Sequence, residues 1–243
     1  MPEDSYSFFD FDNTIYKGQS RYLILDFANF LEERGSFDPT EFNYIKSLFS
    51  SYYQGSINRQ SFGVLVVESY YRGLSGRNEK DIFDHALNYW DRIQTDAWFP
   101  YTIPLLKMIN NTTTSILVSG SPFEILEIIN KALGFKEIFA SLGIIQNGIY
   151  TGHTKSEMAT DTSKAKLMQE LSDTLSFNPA TSFAFGDSES DFPLLKSVDP
   201  KNAYLLGATS IMKRFGVDNS WNFLDQENEI LKNVESRINT LFQ

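Results

Sequence analysis

Tyr6-Ser7-Phe8-Phe9-Asp10-Phe11-Asp12-Asn13-Thr14 is the stretch from which the fold can be read. Its first four residues are aromatic or small and too few for a helix, so they predict a buried strand. Asp10 and Asp12 follow where that strand would end. Two carboxylates two residues apart on an extended backbone can face one side. Taken alone, the stretch reads equally well as a polar turn that caps a helix.

The pattern turns helical from about 20 to 111. Leu23, Phe27, Phe30 and Leu31 recur at helical spacing and stop at Gly35. Phe42, Ile45, Leu48, Phe49 and Tyr52 repeat this before Gly55. Phe62, Val66, Tyr70 and then Ile82, Ala86, Trp90 predict two more helices. Strands alternate with helices thereafter. Thr114 to Val118 is a strand, and a helix from Pro122 is capped by Ser121. Asn147-Gly148 marks a hairpin turn. Asp161 to Leu175 is a helix capped by Asp161 or Thr162, and Ser182 to Phe185 a core strand. Edge strands at Tyr204 to Leu206 and Trp221 to Leu224 precede a last helix, Glu227 to Phe242. This order predicts an α/β fold: a Rossmann-like parallel sheet with helices on both faces and a helical domain inserted after the first strand. Residues 1–16 and 105–243 form the core in this reading, and 17–104 the insert.

Ligands of open α/β sheets bind beyond the carboxyl ends of the strands. Three further clusters fall there. Ser119-Gly120-Ser121-Pro122 offers a hydroxyl and free N–H groups to an anion, although most such sequences only start helices. Lys164 lies four before Met168 and seven before Leu171, so it extends the buried stripe of its helix, whereas Lys166 falls off that face. Gly186-Asp187-Ser188-Glu189-Ser190-Asp191 places one carboxylate at a strand end and another four residues on. Hard oxygens of this kind suit Mg²⁺.

Composition narrows the chemistry. The 243 residues carry 21 basic and 31 acidic side chains, a net charge of −10. That balance argues against nucleic acid as partner. There is no cysteine, which excludes disulfides and thiolate chemistry. His85 and His153 are too few for a histidine metal site. The acidic start lacks a signal peptide and no apolar run is long enough for a membrane span, so a cytoplasmic protein without a membrane partner is expected.

In this order, FDFDNT, ILVSGSP, DTSKAKLM and FGDSESD resemble the four motifs of the haloacid dehalogenase superfamily, in its phosphoserine-phosphatase-like subfamily IB. The resemblance implies a Mg²⁺-dependent phosphatase acting on a small phosphorylated metabolite through an aspartyl-phosphate. It makes Asp10 the nucleophile and Asp12 the general acid and base. Asp10, Asp187 and the Asp12 carbonyl would hold Mg²⁺; Ser119, Gly120 and Lys164 would hold the phosphate; Thr14 and Asp191 would support them. A phosphotransferase would use the same residues, and a non-catalytic metal- or phosphate-binding module is the non-enzyme alternative. A dehalogenase would need neither Asp12 nor Asp187. Where phosphoserine phosphatases place an acidic residue for the substrate ammonium, this chain has Gln19. Near their cap arginine it has Gly63. Phosphoserine is therefore not the expected substrate. Arg59 and Arg72 read as solvated helix ends, and the oligomeric state is not legible.

Overall fold

The computed structural model describes residues 4–207, 210–224 and 227–242. β1 (Tyr6–Phe9) lies in the middle of a seven-stranded sheet. The other strands are β2 (Thr114–Pro122), β3 (Glu137–Gln146), β4 (Ile149–Ser156), β5 (Phe183–Gly186), β6 (Ala203–Leu206) and β7 (Asn222–Leu224). Their order is β4-β3-β2-β1-β5-β6-β7. All neighbours run parallel except β3 and β4. That pair is the expected hairpin. Asn147 and Gly148 turn it with φ of 51° and 75°, the left-handed pair that a two-residue turn requires.

Alternation along β1 divides the core into two layers. Phe9 points to one face, stacked 4.3 Å from Phe185. Phe8 points to the other, among Ile116, Val118 and Ala184. On the Phe8 side lie α7 (Asp161–Thr174) and α8 (Phe192–Lys196), through Leu167, Met168, Leu171, Leu194 and Leu195. The Phe9 side receives α5 (Thr102–Asn110), α6 (Phe123–Leu133) and α10 (Glu227–Phe242). The ninth helix, α9, spans Ser210–Asp218.

Between β1 and β2 the chain forms α1 (Leu23–Glu32), α2 (Pro39–Tyr53), α3 (Arg59–Gly73) and α4 (Glu79–Ile93), followed by α5. Polar caps start three of them: Asp38 accepts the N–H groups of Thr40 and Glu41, Asn58 that of Ser61, and Asn78 that of Lys80. The point 104/105, where insert and core were divided, falls inside α5.

Two caps differ from expectation. Thr160, not Asp161 or Thr162, caps α7, in a reciprocal box with Ser163. Ser121 does not cap α6. β2 runs on to Pro122, with a register shift between Ser119 and Pro122, and α6 begins at Phe123 without a side-chain cap. Pro122 therefore holds the cap position, and the Ser121 hydroxyl is placed on Asp12 instead, donating to its Oδ2 at 2.7 Å.

Candidate active site

The carboxyl ends of β1, β2 and β5 open into a cleft of about 520 Å³, roofed by α1, α2 and α3. Asp10, Asp12, Gly120, Lys164 and Asp187 line it. Motifs from four separate parts of the chain thus meet at one edge of the sheet.

Lys164 is 1% exposed, and its ammonium donates to Asp10 Oδ1 and to Asp191 Oδ1, each at 2.7 Å. Burial disfavours the charge, but the two carboxylates outweigh it and hold the lysine above its ordinary range. Lys166 is exposed beside Glu170, as its helical phase requires. The Thr14 hydroxyl lies 3.3 Å from Asp10 Oδ2, and its own carbonyl accepts from Tyr101.

Asp191 is committed to protein donors. Its Oδ1 takes Lys164, and its Oδ2 takes the N–H groups of Asp187 and Ser188 and the Ser188 hydroxyl. Burial works to raise this carboxyl, yet Lys164 and those N–H groups hold it below the ordinary range. Asp187 is the reverse case. Among the described residues no donor reaches its side chain. Burial, then the charges of Asp191 and Asp10, push it well above the usual range.

Asp12 is held from two sides. The N–H of Leu23, at the start of α1, donates to Oδ1 at 2.7 Å, and Ser121 donates to Oδ2. Burial and then the Asp10 charge push it up to about 7, and Asp10 itself is raised to about 6 by burial and Asp191.

Carboxylate oxygens of Asp10, Asp187 and Asp191 lie within 4.8 Å of one another. The set fits a hard divalent cation. The donors are all oxygen, Asp187 has no partner among the described residues, and Lys164 alone does not balance the charge. Asp191 carries one donor on Oδ1 and three on Oδ2, Asp10 only one on each oxygen, and Asp187 none among the described residues, so Asp187 and then Asp10 keep the most lone pairs for a cation.

The remaining expectations divide. Gly120 lines the cleft, while Ser119 is fully buried behind it and accepts the N–H of Ser121. Gln19 is not in the cleft. It is exposed and lines a separate cavity on the other side of the 18–22 segment, which Asp26 holds by accepting the N–H groups of Gln19 and Ser20. Arg72 pairs with Glu41 away from the cleft. Arg59, read from the sequence as solvated, instead reaches the cleft and donates to Ser190 Oγ at 3.3 Å. Its presence removes half of the sequence argument against phosphoserine. Ser121, Arg21 and Tyr22 were missed. The only signal for Ser121 is the second serine of Ser-Gly-Ser, which helix capping explained too readily. Arg21 takes a left-handed φ of 69°, a conformation that costs a non-glycine residue about 1 kcal/mol or more.

Comparison with known proteins supports the reading of the motifs. The chain matches the haloacid dehalogenase-like hydrolase family over residues 7–196. No match was found among curated protein sequences. Among solved structures, it resembles a protein of unknown function from Bordetella pertussis Tohama I. The TM-score is 0.74 at 17% identity, over 91% of this chain and 99% of the other. It also resembles a phospho-aspartyl intermediate analogue of phosphoserine phosphatase, with a TM-score of 0.65 at 17% identity over 95% and 98%. Cytosolic 5'-nucleotidase IIIB bound to cytidine aligns with a TM-score of 0.64 at 14% identity over 100% and 88%. At such identities the likeness concerns the fold. The family match covers most of the chain, and on that ground the protein belongs to the haloacid dehalogenase-like hydrolases.

Proposed function

We propose that the protein is a Mg²⁺-dependent phosphatase that hydrolyses a small phosphorylated metabolite through an aspartyl-phosphate on Asp10. The observation that carries this reading is the placement of Asp10 beside the buried Lys164, with the Asp187 carboxylate, which has no hydrogen-bond donor among the described residues, next to it. The helical block α1–α4 acts as a cap, and the core binds phosphate.

Phosphate monoesters resist hydrolysis because an anion must attack an anion. Asp10 and Asp187, with the Asp12 carbonyl, would hold Mg²⁺, whose charge would offset that of the phosphoryl oxygens. Asp10 attacks phosphorus and splits one hard displacement into two easier ones. Lys164 and the Gly120 N–H bind the oxygens on which charge develops, and Ser119, buried behind Gly120, holds that loop by accepting the Ser121 N–H. Asp12 gives its proton to the departing alkoxide and later takes one from the attacking water. A group raised to about 7 serves both directions near neutral pH. Asp191 and Thr14 hold Lys164 and Asp10 in place.

The test is turnover of p-nitrophenyl phosphate with Mg²⁺, followed by acid quench and peptide mass spectrometry. The expected result is a phosphate adduct on the peptide containing Asp10. Turnover without that adduct, or an adduct on another residue, would overturn the assignment.

A further inference from the structure

We infer that the leaving group of the substrate carries a planar ring, which lies on an aromatic wall built by the cap. The phosphatase reading supplies the bond that is broken; the wall is a separate observation.

Tyr22, Phe49, Tyr52, Tyr53 and Phe62 all line the cleft that holds Asp10. They come from the start of α1, from α2 and from α3. Tyr52 stacks on Phe62 with centroids 4.5 Å apart and planes 14° from parallel. Phe49 meets Phe62 edge-on at 4.8 Å, and Tyr22 meets Phe49 edge-on at 4.9 Å. Phe49 and Phe62 are buried and anchor the cluster in the helical block. Tyr22 and Tyr52 are half-buried and Tyr53 is 67% exposed, so these three present ring surface to the cleft.

Ordinary core packing does not account for their hydroxyls. Four buried tyrosines show the contrast: Tyr16 donates to Asp26, Tyr70 to Glu124, Tyr71 to the Ser141 carbonyl and Tyr101 to the Thr14 carbonyl. Among the described residues, the hydroxyls of Tyr22, Tyr52 and Tyr53 have no hydrogen-bond partner. Arg59 adds its guanidinium at 6.0 Å over the Tyr52 ring and 5.6 Å over Phe62. No carboxylate of the described residues pairs with it. Rings that offer faces and edges, rimmed by unpaired donors, match a flat ring bearing acceptor atoms. An aliphatic chain would fill the same space but use neither the ring geometry nor the donors. The wall, Lys164 and Asp187 line one cleft of about 520 Å³, so a single ester can touch both.

The test separates ring binding from catalysis. Affinity for 2-phenylethylphosphonate and 2-cyclohexylethylphosphonate, which cannot be hydrolysed, is measured by calorimetry with Mg²⁺ present. The aromatic ligand is expected to bind roughly tenfold more tightly, the scale of one or two aromatic contacts. Tyr52→Leu is expected to bring the ratio close to unity. Should that variant not fold, Tyr53→Leu, at an exposed position, carries the same comparison. Equal affinity in the parent, or a ratio that neither variant changes, overturns the proposal. Turnover of benzyl and cyclohexylmethyl phosphate is measured beside it. A ring preference in binding with neither ester hydrolysed would sink the phosphatase reading and leave the ring site standing.

Discussion

Lys164 Nζ lies 2.7 Å from Asp10 Oδ1, in the floor of the cleft. Its second bond, to Asp191, makes one ammonium the shared counter-ion of two carboxylates. Lys164→Met should therefore abolish most activity and also destabilise the fold by about 3 kcal/mol, since two buried carboxylates lose their partner. Lys166→Ala should stay within a few-fold of the parent and melt like it, because that side chain is 81% exposed. Parallel kinetics and urea melts check both. The reverse ranking would place the phosphate ligand on the wrong lysine.

Asp10→Asn should lose the covalent step entirely, since an amide is no nucleophile. Asp12→Asn should slow esters of poor leaving groups by about 10² to 10⁴-fold, the usual scale for a missing general acid. Esters of acidic phenols, which depart without a proton, should suffer far less in the first step. Single-turnover kinetics on a good and a poor leaving group decides it: equal damage to both removes the general-acid role from Asp12.

EDTA should abolish turnover and Mg²⁺ restore it, while Ca²⁺, with its larger and looser shell, should fail to replace it. The raised Asp187 carboxyl adds a sign. A cation must displace the proton held there, so apparent Mg²⁺ affinity should strengthen as pH rises. Titrating activity with Mg²⁺ at several pH values tests this. Full activity in metal-free buffer would remove the metal from the reading.

Much of this was legible because local signals and the fold agree. Tyr6–Phe9, Thr114–Val118 and Phe183–Phe185 are apolar runs too short for helices, and each ends at a polar cluster that the sheet brings together. Lys164 was separable from Lys166 by helical phase alone. What failed depends on which of two places a side chain takes, or on where a long side chain goes. Ser121 could cap α6 or reach Asp12, and only the tertiary structure makes the second available. Gln19 was placed by counting from Asp10. The segment after Asp12 turns tightly, with the N–H groups of Thr14, Ile15 and Tyr16 all directed at the Phe11 carbonyl, and Asp26 then draws residues 19 and 20 away from the cleft. Arg59 sits in the first turn of α3, where solvent is the usual neighbour. It reaches the cleft because Gly63, one turn on, lets the helix lie close to the core.

Glu124 gives a pH dependence of the fold itself. It is buried in the first turn of α6, where Tyr70 donates to it from α3 at 3.0 Å. Burial outweighs that hydrogen bond and raises the carboxyl to about 7. The folded chain thus holds a proton that the unfolded chain releases near 4.5. A raised acid contributes most below its unfolded value, and that contribution is lost as pH climbs through 4.5 to 7. The loss is at most about 3 kcal/mol for a fully buried group. Glu124→Gln keeps the shape and removes the proton exchange. Urea melts at pH 5 and pH 8 should show the parent losing more stability than the variant over that interval. Parallel curves would mean that Glu124 stays ionised throughout.

Gly63 sets how closely the cap lies on the core. A Cβ at this position would stand 2.9 Å from the Ala159 carbonyl oxygen and 3.2 Å from Ala159 Cβ. Gly120, across the same residue, would place its Cβ 2.7 Å from Ala159 Cβ, so Ala159 is pinched between α3 and the end of β2. It cannot step aside. Its N–H donates to Glu157, the Met158 N–H donates to Ser141, and Thr160 holds the start of α7. In Gly63→Ala the gain in helix propensity, about 1 kcal/mol, opposes an overpacking cost of about 1–3 kcal/mol. Net stability should therefore fall by about 0–2 kcal/mol. The strain is relieved by moving α3 outward, which carries Arg59 and Phe62 off the cleft while the carboxylates of the core stay in place. Activity should therefore fall through KM rather than kcat, by roughly tenfold if about 1.4 kcal/mol of cap contact is lost. Steady-state kinetics and a thermal melt on the same preparation check this. A fall in kcat at constant KM would locate the effect at Gly120 and the phosphate instead, and an unchanged KM would show that α3 can shift without loosening the substrate's hold.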